Sequence, residues 1–323
     1  MNTPTSAPLE PFANQKSFSD SNSQSVAKEP FNVSVIIPTH NRLSTLLGAI
    51  KSILEQEIPV FEIVVVDDAS SDGTREIDFA AIDPRIRLIS LPENRGGAVA
   101  RNVGIENASG NWIAFLDSDD VLFPHTLKQQ KSVVESQVSS EQDFFVCGNV
   151  VCRRGDGSEY MYNSRPPRPD ESLSEYFLVY GFSFAIHSLL IPAQALKKVR
   201  FDEKLRRHQD WDLVLRLVAA GFRYVYSHEP AGIYMLGNDN RVSRSKGADA
   251  TLYWFEKDRE LLLSPACAYY YARHYFTKHL RDKPKEALRA VSKLALADIK
   301  SFFFTVRAFA GLALQRMGLR GRA

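Results

Sequence analysis

Two short runs decide most of what this chain can become. Val33-Ser-Val-Ile-Ile-Pro38 and Phe61-Glu-Ile-Val-Val-Val66 are apolar and β-branched, and each stops abruptly at polar residues, Thr39-His40-Asn41 and Asp67-Asp68. Runs of this kind are strands covered on both faces, the pattern of a parallel sheet. Between them Leu43, Leu46, Leu47, Ile50 and Leu54 recur at helical spacing. Residues 85–90 read as a third strand, 96–106 as a helix and 112–116 as a fourth strand, which ends in Asp117-Ser118-Asp119-Asp120. Strands that alternate with helices predict an α/β fold with a mainly parallel central sheet, helices on both faces and right-handed crossovers. Ligands of such sheets bind beyond the carboxyl ends of the strands. Three polar clusters converge there.

Further along, residues 144–151 and 185–191 read as strands and 210–220 as a helix capped by Gly221. Residues 234–246 read as a loop rich in Gly, Asn, Arg and Ser, and the chain from Thr251 as mostly helical. Three parts follow: a polar tail over 1–31 expected to be disordered, a body over 32–245 and a helical C-terminal extension over 246–323.

Composition mainly excludes. A chain of 323 residues with 44% hydrophobic side chains buries roughly 75% of its unfolded surface without staples. A net charge of +2 is too balanced for nucleic acid as the main partner. Three cysteines make no disulfide framework. Cys147 and Cys152 lack a Cys/His partner at zinc spacing, so they read as reduced thiols of a cytoplasmic protein. The first 31 residues carry six serines, four prolines and no apolar run, unlike a secretory signal. No stretch reaches the ~18 apolar residues of a membrane span.

The carboxylates carry the chemistry. Asp117-Ser118-Asp119, on a turn after a buried strand, can offer hard oxygen ligands to Mg²⁺ or Mn²⁺. Such a cation usually holds substrate phosphates and stabilises a diphosphate leaving group. The same triplet also suits a loop that caps the next helix. Asp67-Asp68 can accept from a uracil ring or ribose hydroxyls, or can build the Asp/Ser turn over residues 68–73. Asn94-Arg95-Gly96-Gly97-Ala98-Val99-Ala100-Arg101-Asn102 opens a helix whose free N–H groups suit an anion. It lacks Walker and dinucleotide-fingerprint spacing. Arg101 can reach a phosphate or hold a loop aspartate. In His208-Gln209-Asp210-Trp211-Asp212, Asp210 is a helix-capping residue or a general base, and Asp212 has the same two readings.

Residues 33–41, 67–74, 94–102 and 117–120, in this order and spacing, resemble the family 2 glycosyltransferases. Gln209-Asp210-Trp211-Asp212 is similar to that family's Glu-Asp-Trp motif, with Gln in place of the usual acid. The resemblance spans about residues 33–234. It implies the GT-A nucleotide-sugar transferase fold and an inverting, metal-dependent hexosyl transfer from a nucleotide-sugar, expected to be UDP-linked. The nucleotide-binding half would occupy 32–122 and the acceptor half 123–245. By the same resemblance Pro38, His40 and Arg42 line the nucleotide pocket and Asp68 contacts the base. Arg101 lies near the nucleotide or orders the metal loop. Asp117 and Ser118 meet the ribose or sugar, Asp119 binds Mn²⁺ or Mg²⁺, and Asp210 is the catalytic base. His187 would face the acceptor. Asn240, Arg241 and Ser243 sit in a basic loop that could close over the diphosphate and exclude water.

The chain end is basic. From Lys285 onward eight basic residues face two acidic ones, which leaves the remainder mildly acidic. Phe302, Phe303, Val306, Phe309, Ala310, Ala313 and Met317 fall at helical spacing. A helix of this type lies on an anionic membrane or packs on its own body. Membrane contact suits a lipid-linked or glycan acceptor; the resemblance implies bacterial exopolysaccharide or other cell-surface assembly, with the protein on the inner face of the plasma membrane. Two other readings are a sugar-phosphate nucleotidyltransferase and a non-catalytic nucleotide-sugar-binding subunit. The first needs a glycine-rich loop after the first strand, where Pro38-Thr-His-Asn-Arg42 has none. The second predicts loss of Asp119 or Asp210, and both are present.

Overall fold

A computed structural model describes residues 30–137 and 143–236, together with Tyr253, Trp254 and Lys257. The predicted N-terminal tail, the loop with Asn240, Arg241 and Ser243, and the amphipathic stretch from Lys300 lie outside the described residues.

The strands are β1 (Val33–Thr39), β2 (Glu62–Asp67), β3 (Ile86–Ser90), β4 (Trp112–Phe115), β5 (Val121–Leu122), β6 (Phe144–Gly148), β7 (Val151–Arg153), β8 (Glu159–Met161), β9 (Leu190–Pro192), β10 (Arg223–Ser227) and β11 (Gly232–Met235). The helices are α1 (Leu43–Leu54), α2 (Phe79–Ile82), α3 (Gly97–Asn107), α4 (Thr126–Ser136), α5 (Leu173–Leu178), α6 (Ala193–Lys198) and α7 (Gln209–Ala219). Seven strands form the main sheet in the order β10-β6-β9-β4-β1-β2-β3, and β5-β11-β7-β8 form a small second sheet.

The predicted parallel core is present: β1 pairs in parallel with β2 and β4, and β2 with β3. Its alternation fills both faces. Val33, Val35 and Ile37 pack with Leu46, Ala49, Ile50 and Ile53 of α1 on one side. Ile36, Val64 and Val66 pack with Ala98, Val99 and Ile105 of α3 on the other. Gly104 lets α3 lie close to β1, because a Cβ there would stand 2.4 Å from Ile36 Cγ2. The helix expected to stop at Gly221 ends there. Gly221 adopts φ +94°, its N–H bonds the Val218 carbonyl, and the Phe222 N–H bonds that of Leu217. This is a Schellman closure.

Three expectations need correction. Residues 144–151 are two strands in two sheets, parted at Asn149. The Asn149 side chain accepts the N–H of Val150 and of Asn163, both at 2.9 Å, and donates to the Asn163 carbonyl at 2.7 Å. That clamp turns the chain out of the main sheet. Residues 185–191 are mostly a 3₁₀ turn (Ile186–Ser188) before the short β9, which runs antiparallel to both β4 and β6. Tyr234 and Met235, expected in a loop, belong to β11, beside β7.

Candidate active site

The ends of β1, β2 and β4, the start of α3, the start of α7 and the edge of the small sheet enclose a cleft of about 1020 Å³. Pro38, His40, Arg42, Asp68, Arg101, Asp117, Ser118, Asp119 and Asp210 all line it. His187 does not.

At the end of β2 the two aspartates divide. Asp67 is fully buried and structural: it accepts Ser70 N–H and Arg75 Nε, each at 2.9 Å. Asp68 faces the cleft, and its two oxygens accept the N–H groups of Arg95 and Gly96 at 2.7 Å. It thereby ties the glycine loop to the strand end, a role that spacing alone did not show. His40 is oriented by the same turn. Its Nδ1 donates to the Asp68 carbonyl at 2.7 Å, and Nε2 accepts from Asn41 at 3.1 Å. The neutral Nδ1–H tautomer satisfies both bonds.

At the end of β4 both outer carboxylates meet arginine. Arg42 Nη1 stands 2.7 Å from Asp119 Oδ2. Arg101 Nη2 donates to Asp117, and its Nη1 donates to Gln209 Oε1 at 2.7 Å. Burial pushes the Asp117 carboxyl up, but the charge and hydrogen bond of Arg101, helped by Arg42, outweigh it and hold the carboxyl below the usual range. Asp120 turns inward instead. It accepts the Met235 N–H at 3.0 Å and faces His187 Nδ1 at 3.3 Å. His187 is 1% exposed, so it braces the carboxylate loop from behind and offers nothing to a ligand in the cleft.

Asp210 begins α7 and is partly buried. Its Oδ2 accepts from Ser183 Oγ at 3.2 Å, its Oδ1 from the Trp211 N–H at 3.0 Å, and Ser183 Oγ accepts from Trp211 Nε1 at 2.7 Å. Burial pushes this carboxyl above its ordinary value, against the opposing pull of those hydrogen bonds. Asp212 is the structural member of the pair. It is fully buried, bonded to Arg216 Nε at 2.9 Å and Lys257 Nζ at 2.8 Å, away from the cleft.

Two residues of the cleft wall carried no signal in the sequence. Tyr162 and Tyr234 meet edge to face with ring centroids 6.0 Å apart. Burial and the nearby Asp210 charge push the Tyr162 phenol well up, so it stays neutral.

Asp117 and Asp119 suit a divalent cation in charge and in ligand type. Among the described residues no group of three or more His, Cys, Asp or Glu side chains could enclose a metal. The donor set therefore suits a cation that takes its other ligands from phosphate and water. No helix of the described residues is long and apolar enough to cross a membrane.

The chain is similar to known proteins in sequence and in fold. Residues 34–202 match the family described as Glycosyl transferase family 2. The chain is 32% identical over 239 residues to the succinoglycan biosynthesis protein ExoO of Rhizobium meliloti, covering 72% of this chain and 68% of that one. It is 31% identical over 254 residues to the putative teichuronic acid biosynthesis glycosyltransferase TuaG of Bacillus subtilis, covering 77% and 97%. Among solved structures it is similar to S. aureus TarS 1–349 in complex with UDP-GlcNAc, with a TM-score of 0.64, 18% identity, and 90% and 93% of the two chains covered. It spans 43% of the longer TarS chain. It is also similar to the Pyrobaculum calidifontis mannosyltransferase PcManGT in complex with GDP-Man and Mn²⁺, with a TM-score of 0.50, 20% identity, and 87% and 75% covered. These likenesses show the GT-A fold. With a family match over just over half of its length and two relatives above 30% identity, the chain belongs to glycosyl transferase family 2 and is a glycosyltransferase.

Proposed function

We propose that this glycosyltransferase moves a hexose from a UDP-linked donor, with inversion, to a hydroxyl of a glycan or lipid-linked sugar during synthesis of a bacterial surface polysaccharide. The observation that carries the reading is the meeting, in one cleft, of Asp117 and Asp119 at the end of β4 with Asp210 at the start of α7. ExoO and TuaG, named for succinoglycan and teichuronic acid biosynthesis, support the polysaccharide acceptor. The TarS complex with UDP-GlcNAc supports the donor class, and the Mn²⁺ of PcManGT supports the cation.

In this reading the donor diphosphate lies between Arg42, Arg101 and the Asp117–Asp119 loop. Bound Mn²⁺ or Mg²⁺ would supply positive charge that makes the nucleoside diphosphate a better leaving group. Asp210, with its proton affinity raised by burial, takes the proton of the acceptor hydroxyl. The hydroxyl oxygen then attacks the anomeric carbon from the face opposite the departing diphosphate, and no covalent enzyme intermediate is needed. Action on the cytoplasmic face, closure of residues 237–244 over the donor and membrane contact by the chain end complete the proposal. The last two rest on sequence alone.

The test is a thermal-shift series with UDP, GDP, CDP and dTDP, each with Mn²⁺ or with EDTA. Ligand at ~100 times its Kd adds about 2.7 kcal/mol of stability. A Mn²⁺-dependent shift with UDP is expected, and a shift with another nucleotide alone would reassign the donor.

A further inference from the structure

We propose that Tyr162 and Tyr234 form an acceptor subsite that takes the apolar C–H face of a pyranose ring and delivers one of its hydroxyls to Asp210. The inference rests on the reading of Asp210 as the base and names the ligand surface that serves it.

The two sides of the cleft differ in chemistry. The ends of β1 and β2 and the start of α3 bring Arg42, Arg101 and Asp68 to it. Across β4, the neutral residues Tyr162, Ser183, Ala185, Ile186 and Tyr234 line the wall next to Asp210. An anionic nucleotide belongs on the arginine side. The other side has the character of a sugar, which carries a rim of hydroxyls around an apolar face.

This wall is built, not incidental. Val150, Ala185 and Ala231 form a buried apolar cluster of their own, separate from the two sheet cores, and Tyr162 and Tyr234 pack on it. Tyr234 also stacks on His187, with an interplanar angle of 19°. The rings cross at 62°, so they form a corner, each with area left over toward the cleft. Tyrosine offers such area at low entropic cost and keeps a hydroxyl for a polar rim.

The corner is tied to the carboxylate by short steps. Asn163, next to Tyr162, donates to the Ser183 carbonyl at 2.6 Å and accepts its N–H at 3.0 Å. Ser183 Oγ donates to Asp210 Oδ2 at 3.2 Å. Asn163 and Ser183 are each 2% exposed. A ring seated on the tyrosines is therefore held in fixed relation to the group that would take its proton.

The experiment is saturation-transfer NMR of methyl β-D-glucopyranoside and methyl β-D-galactopyranoside with the full chain, UDP and Mn²⁺. Saturation concentrated on the C–H protons of one ring face is expected. Y162A and Y234A should each weaken glycoside binding about tenfold, while Y162F and Y234F should stay within about twofold. All four should keep the UDP thermal shift, which also shows that they fold. Four results would overturn the subsite: even saturation, no glycoside binding by the native chain, alanine variants that bind as the native chain does, or loss of the UDP shift in those variants. The last would place the nucleobase on these rings. Failure of the base assignment shows separately, as transfer that survives D210N.

Discussion

Gln209 presents its side-chain oxygen to Arg101 Nη1 at 2.7 Å, and the same guanidinium holds Asp117. A neutral amide thus occupies the place where the family's motif has an acid, one residue before Asp210, the proposed base. A carboxylate there would add a like charge beside Asp210 and raise its pKa further. With Asp210 as the proposed base, activity needs its ionised form and rises with pH through that pKa. In Q209E the acid limb of the kcat/KM profile should move to higher pH, and a pH–rate series reads it directly.

Replacing Asp210 by Asn keeps the shape and the Ser183 contact but removes the proposed base. Transfer should fall by about 10³-fold, with the nucleotide-dependent thermal shift retained. Stability should move the other way. A carboxyl raised in the folded state is penalised at pH values above that raised pKa. The penalty fades as pH falls and is absent below the unfolded value of about 3.9. D210N should therefore be more stable than the native chain at pH 7 and should lose that advantage below about pH 4. Denaturant melts at the two pH values test it.

Arg42 must share Asp119 with any cation that binds there. In D119N, UDP should give the same thermal shift with Mn²⁺ as with EDTA, whereas the native chain should distinguish the two conditions. A Mn²⁺-dependent shift that survives in D119N would remove Asp119 from the metal site.

His208, the residue before α7, holds φ +61°, which costs a non-glycine residue about 1 kcal/mol or more. Its ring stacks on both Trp211 and Trp254, with centroids 4.8 and 4.9 Å away, and the two indoles stand 5.9 Å apart, so the three rings form one cluster. Trp254 is fully buried. W254A should cost roughly 3–5 kcal/mol and lower kcat more than donor KM, because the stack sets the first turn that carries Asp210. W254F should recover much of both.

The donor side was legible because its signals are local. The β-branched runs that become β1 and β2, and the polar residues at their ends, lie next to one another in the chain, and their strands pair in the register that brings Asp68 to the cleft wall. The acceptor side was not, because its order comes from distant pairs. Asn149 breaks a run that reads as one strand by bonding Asn163, and the partner of His187 is Asp120. Asp210 and Asp212 are alike in sequence. Arg216, one turn further on, and Lys257, 45 residues beyond Asp212, mark Asp212 as the structural one. Tyr162 follows a short, fully exposed strand and has no periodicity to mark it.

The reversed direction of β9 has an evolutionary corollary. Its neighbour β4 reaches the cleft where it ends, but the chain enters antiparallel β9 after passing the cleft, so Ser183, Ala185 and Ile186 arrive on a connecting segment instead of a strand exit. That segment and the excursion through β7 and β8 can change length without disturbing the pairing of β1 with β2 and β4. In the proposed reading, selectivity for the sugar that receives can diversify while the machinery for the sugar that is given stays the same.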